Sequence, residues 1–195
     1  MIDTMKYAIN SEDELSEIIR SDPWMMEVLI AAQSINLPDW WIGAGFLRNK
    51  VWDTIEGRVS KPTRDVDLVY FSDIDKSPET DWAYDTHMKG NYPFAEWEVR
   101  NQARMHYVNN SQPFISTADG ISNWVETATC VAVRLKNDSL EYLFCYGTDD
   151  LFNLIARPIP DFQTEERMET FYNRIKNKQW QEKWPHLQIV TESIK

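Results

Sequence analysis

Asp65 and Asp67 stand one residue apart at the head of an apolar run, Asp65-Val66-Asp67-Leu68-Val69-Tyr70-Phe71, and no other segment limits the fold as much. A short run with period-two alternation reads as a strand, and a strand sends alternate side chains to opposite faces. Val66, Leu68 and Tyr70 then face a core, while both carboxylates share the other side. Two like charges held together on a sheet ask for a cation, and a divalent metal with oxygen ligands fits. Upstream, Trp40-Trp41-Ile42-Gly43-Ala44-Gly45-Phe46-Leu47-Arg48 carries a short apolar strand into a glycine turn and then into a helical pattern. Free N–H groups at the start of such a helix suit a phosphate. An Asp-x-Asp taken alone is more often a solvated or capping pair. The order of glycine turn followed by acidic strand is what points to a nucleotide with its metal.

A third carboxylate is expected from the segment Ala95 to Tyr107, which alternates at its start with Trp97 and Val99 on one face and Glu96, Glu98 and Arg100 on the other. Glu98 is the candidate ligand, and Glu96 shares its face. Around this centre the pattern predicts a capped helix from Ser11, a helix from Pro23 to Ile35, a strand Trp40 to Gly43 and a helix Phe46 to Ile55. Pro78 to Lys89 and Ser116 to Val125 read as helices, and Thr129 to Leu135 with Leu140 to Tyr146 as a hairpin around Lys136-Asn137-Asp138-Ser139. Asp149 to Ala156 and Glu165 to Lys178 read as closing helices. Trp41, Trp52 and Trp97 fall at inward-facing positions.

Composition narrows the partners. A chain of 195 residues, 43% hydrophobic and 26% charged, is long enough to bury its own core. Acidic residues outnumber basic ones 31 to 20, and the net charge of -11 repels nucleic acid, arguing against a polymerase. A nucleoside triphosphate delivered with its metal is compatible with that charge. Cys130 and Cys145 lie in apolar runs and read as buried thiols without zinc or disulfide spacing. No signal peptide is legible, and the apolar stretch Trp24 to Ala32 is interrupted by Glu27 and too short to span a bilayer, so the expectation is a cytoplasmic protein with no membrane partner. Oligomeric state is not legible.

The stretches 41–49, 64–71, 97–106 and 149–154 together resemble a family of small bacterial nucleotidyltransferase-like proteins within the DNA polymerase beta-like nucleotidyltransferase superfamily. The resemblance implies an α/β (α+β) nucleotidyltransferase fold, a mixed sheet flanked by helices. One domain over 1–195 is expected, with residues from about 148 as a helical carboxy-terminal extension. It implies transfer of a nucleoside monophosphate from a nucleoside triphosphate to a hydroxyl of a small-molecule or protein acceptor, with no substrate assigned. Asp65 and Asp67 become metal ligands, bridging two Mg2+ (or Mn2+) ions roughly 4 Å apart, and Glu98 holds the catalytic ion or takes the acceptor proton. Gly43, Ala44 and Gly45 form the phosphate loop, and Arg48, Lys61 and Arg64 lie where donors to phosphate are needed. His106, Asp149 and Asp150 belong to the matching stretches, the two aspartates reading equally as helix caps.

Two departures matter. Ala44-Gly45 stands where many active members have glycine followed by serine, so a phosphate-holding hydroxyl is missing. The gap from Gly45 to Asp65 is long for the superfamily, with a whole helix and an added polar loop. A nucleotidyltransferase-fold protein that binds without turnover is therefore the alternative, and a plain α/β domain with surface carboxylates is a third reading.

Overall fold

Local signals in the chain account for the first elements of the computed structural model, which describes residues 7–59, 65–109 and 111–191. Helix α1 (Glu12–Arg20) opens on Ser11, whose Oγ accepts the Glu14 N–H at 3.2 Å, while Glu14 reaches back to the Asn10 N–H at 2.7 Å. Helix α2 (Pro23–Ser34) starts on Asp22, which accepts the Met25 N–H, and Pro23 fills a first-turn position where its missing donor costs nothing.

Next come β1 (Trp41–Gly43), α3 (Gly45–Ile55), β2 (Asp65–Tyr70), α4 (Pro78–Asn91), β3 (Glu96–Asn101), α5 (Gln102–Asn109) and α6 (Thr117–Ser122). A hairpin of β4 (Val131–Lys136) and β5 (Ser139–Phe144) turns on Asn137 and Asp138, both at positive φ as a tight hairpin turn requires. The sheet order is β3-β2-β1-β4-β5. The α4 crossover makes β2 and β3 parallel, and the other pairs are antiparallel.

One sheet face is fully covered. Ile42, Val66, Leu68, Tyr70, Trp97, Val99 and Val133 enter the main core with residues of α1, α2 and α3. Helix α3 is buried all round, Trp52 donating its indole N–H to the Leu151 carbonyl at 3.0 Å and meeting the Trp180 and Trp184 rings edge-on. The opposite face is divided. Trp41, Val69, Cys130 and Ala132 form a smaller apolar cluster with Ile121 of α6 and Ile159, and the β2 and β3 amino ends carry acids instead.

Strand β3 is an edge, and α4 seals it. Asp85 accepts the Val99 N–H at 2.6 Å, and Asp81 accepts the Asn101 N–H at 3.1 and 3.2 Å, so donors that would face solvent or another chain are satisfied. Arg100 pairs with Asp85 and Arg104 with Asp81, whose carboxylate also accepts the Tyr70 hydroxyl.

One expectation is bounded and two are corrected. The segment Ala95 to Tyr107 is strand only to Asn101, because the Asn101 carboxamide accepts the Ser72 and Ala103 N–H groups at 3.0 Å and turns the chain into α5. The helix from Ser116 ends at Ser122, and the following residues lie over the sheet as a loop. The helix from Asp149 is a single turn, α7 (Asp149–Phe152), because Leu154 takes φ 54° and Ile155–Ala156 becomes β6. A 3-10 turn (Pro160–Gln163), α8 (Glu165–Lys178) and α9 (Trp180–Lys183) follow, and β7 (Gln188–Ile189) pairs parallel with β6. Trp180, Trp184 and Leu187 enter the main core, so the carboxy-terminal segment packs on the same centre as the strands.

Candidate active site

The parallel register of β2 and β3 builds the acidic face. Asp65 lies beside Glu96 and Asp67 beside Glu98, and all four residues share the side of the sheet opposite Val66, Leu68, Trp97 and Val99. Strand β1 pairs Trp41 with Val69 and Ile42 with Leu68, so one step further Gly43 borders Asp67 on the same side. Glu98, Asp67 and Gly43 therefore run side by side across three strands.

The electrostatics are those of a face that lacks enough positive charge. Burial, then the neighbouring Glu98 and Asp65, push the Asp67 carboxyl above the usual carboxylate range, while Arg174 and Arg48 pull it down. Among the described residues no hydrogen-bond donor reaches Asp65 or Asp67, and Glu98 has only Arg100 at 3.7 Å, with its side chain 60% exposed. Hard oxygen donors crowded in this way suit a divalent cation, which would relieve their repulsion. Among the described residues no three His, Cys, Asp or Glu side chains already converge tightly enough to hold an ion.

The turn beside these acids is shaped by what it lacks. A Cβ on Gly43 would collide with the edge of the Trp124 ring, so the bare glycine lets the loop after α6 dock onto the sheet next to Asp67. Ala44 takes φ 54° and ψ -125°, a backbone region that favours glycine. Its N–H is used by the Val131 carbonyl at 3.1 Å, but α3 has no side chain capping its first turn, unlike α1, α2 and α6. Uncapped first-turn N–H groups and the helix dipole leave that end ready for an anion. A Cβ on Gly45 would sit 3.2 Å from Asn49 Nδ2, closer than ordinary van der Waals contact.

Arg48 has partners within the protein. Its guanidinium is buried, donating to the Thr129 hydroxyl at 2.6 Å and to Asn49 at 2.9 Å and stacking over Trp180 at 4.3 Å. Burial, with Arg174 nearby, lowers its pKa to about 10 against the opposing pull of Glu126 and Asp67, so it stays charged at neutral pH. It braces the loop from beneath. Arg64 and Lys61 fall outside the described residues. His106 is buried on α5, its ring against Tyr107. Asp150 is clamped by Arg157 at 2.9 Å and the Thr127 hydroxyl at 2.6 Å, and α7 has Thr148, not either aspartate, at its cap position.

Three residues at this face escaped the sequence reading: Trp124, Glu126 and Arg174. Glu126 is fully buried; it accepts from the Thr129 hydroxyl at 2.7 Å, and its other oxygen lies 2.7 Å from Arg174 Nε, an ionic contact off-axis for a hydrogen bond. The signal for it was present, since Glu126 is the single charge in the run from Gly120 to Ala132. Arg174 arrives from α8 and has no local signature.

The fold defines the class. A protein whose NMR structure is described as revealing a CCA-adding enzyme head domain is similar at TM-score 0.84 and 30% identity, over 94% of this chain and 98% of that one. The chain belongs to the nucleotidyltransferase family, whose model matches residues 30–189. A CCA-adding enzyme in complex with ATP and a tRNA-processing enzyme in an apo form share the fold at TM-scores of 0.53 and 0.50 and identities of 13% and 16%. They match over 90% and 84% of this chain, which spans 42% and 44% of their length. Comparison with curated proteins gives no match. No helix among the described residues is long and apolar enough to cross a membrane.

Proposed function

We propose that this protein is a metal-dependent nucleotidyltransferase that moves a nucleoside monophosphate from a nucleoside triphosphate to an acceptor hydroxyl. The observation that carries the reading is the row Glu98, Asp67 and Gly43 across three strands, with Asp65 one turn of the pleat away. Asp65, Asp67 and Glu98 would hold Mg2+ or Mn2+, whose chemistry when bound is to neutralise phosphate charge and align the reacting oxygens. The uncapped start of α3 at Gly43, Ala44 and Gly45 receives phosphate oxygens, Arg48 keeps that turn in place, and Arg64 is retained as a further phosphate donor.

In the reaction the acceptor oxygen forms a bond to the α-phosphorus and the bond to the β-phosphate bridging oxygen breaks. Pyrophosphate leaves with that electron pair, and Glu98 takes the hydroxyl proton. The ATP bound to the structural neighbour supports a triphosphate substrate, and the charge of -11 favours a small-molecule or protein acceptor over a long nucleic acid.

Pyrophosphate release from ATP, GTP, CTP and UTP, with Mg2+ or Mn2+, and with a hydroxyl-metabolite mixture, the protein itself or tRNA as acceptor, tests this. Release that needs metal and disappears in Asp65→Asn/Asp67→Asn is the expected result. A second reading, binding without turnover, is favoured by the absence of a preformed three-ligand cluster among the described residues. Nucleotide binding without release in every condition would select it.

A further inference from the structure

We infer that Arg174, from the carboxy-terminal helix α8, is a binding residue for the triphosphate tail of the nucleotide. This deepens the proposed function and rests on it. Three carboxylates and a triphosphate together outweigh two divalent cations, so the protein must add positive charge of its own. Among the described residues two arginines are tied to the glycine turn, Arg48 directly and Arg174 through Glu126 and Thr129. Arg48 is buried and already donates to Thr129 and Asn49. Arg100, the neighbour of Glu98, is committed to Asp85 and to the Val99 carbonyl.

Arg174 differs from both. Its Nε makes an ionic contact with Glu126 at 2.7 Å and its guanidinium lies 5.9 Å from the Trp180 ring; its terminal amino groups take no hydrogen-bond or ion-pair partner among the described residues, and its side chain is 31% exposed. A guanidinium gripped at one nitrogen and free at the others is oriented while keeping the fork that matches phosphate oxygens. Its location is fixed from two sides. Glu126 connects it through Thr129 to Arg48, whose Nη2 lies 3.7 Å from where a Gly45 Cβ would be, and Trp180 lies beneath both guanidinium groups. Glu126 is thus a positioning residue, a buried carboxylate between two arginines, one under the turn and one open to solvent.

The test is calorimetric titration with the NTP that binds wild type best, the corresponding NMP, and inorganic pyrophosphate, each with Mg2+. Arg174→Gln is expected to weaken NTP and pyrophosphate about ten- to a hundredfold while leaving the NMP within about twofold. Arg174→Lys is expected to restore part of the loss. Because Arg174→Gln strands a buried carboxylate, the double variant Glu126→Gln/Arg174→Gln, checked for folding by circular dichroism, keeps the test valid and is expected to show the same split. A folded double variant that binds NTP and pyrophosphate like wild type, or that loses NMP equally, overturns the assignment alone. Wild type that binds neither NTP nor pyrophosphate overturns both the assignment and the activity beneath it.

Discussion

Two sets of acids flank the same pair of strands and are treated in opposite ways. Asp81 and Asp85 of α4 are buried, and each carboxylate is matched by an arginine and by a strand N–H. Asp65, Asp67 and Glu98 lie on the open sheet face, where among the described residues the single ionic contact is the long one from Arg100 to Glu98. Residue type does not separate the sets. What separates them is whether the protein supplies a contacting counter-charge itself, and the set left without one is the set to which the proposed function gives the metal.

The contrast breaks if the open set proves structural. Asp67→Asn should lower metal-dependent pyrophosphate release by about a thousandfold while leaving the thermal midpoint unchanged or raised, because one of three crowded like charges is removed. A lowered midpoint with activity retained would sink it. In the closed set, Asp81→Ala strands Arg104, the Tyr70 hydroxyl and an edge N–H, and should cost about 3–5 kcal/mol in urea unfolding.

Ligand linkage sharpens the comparison further. Mn2+ or Mg2+ at about tenfold over its Kd should stabilise wild type by about 1.4 kcal/mol, roughly 3–6 °C in thermal midpoint, and should do nothing for Asp65→Asn/Asp67→Asn. Equal shifts in both proteins would place the ion elsewhere. The smallest effect belongs to the turn beside the open set: Ala44→Gly relieves a side chain at φ 54° and should stabilise by about 0.5–1 kcal/mol, with little change in nucleotide affinity.

The acidic strand and its partner were legible because a sheet converts alternation directly into facing, so Asp65, Asp67 and Glu98 could be set on one side without knowing the topology. The hairpin was legible for a similar reason, since Asn137 and Asp138 tolerate the backbone its turn demands. Long-range chemistry was not legible. Nothing near Asn101 announces that its carboxamide will gather N–H groups from two segments and end a strand, and Arg174 resembles any arginine on a polar helix until Glu126 is folded against it. The burial of Arg48 was not legible for the same reason: its position after the glycine turn was plain, but the ring it rests against, Trp180, lies far along the chain.

That indole has a consequence for how the molecule is made. All five strands of the main sheet precede Trp180, so a growing chain can complete its sheet while the glycine turn still lacks the ring beneath Arg48. Support for the glycine turn therefore comes only after the sheet has been made, and a chain stopped ahead of this tryptophan would lack the ring against which Arg48 rests.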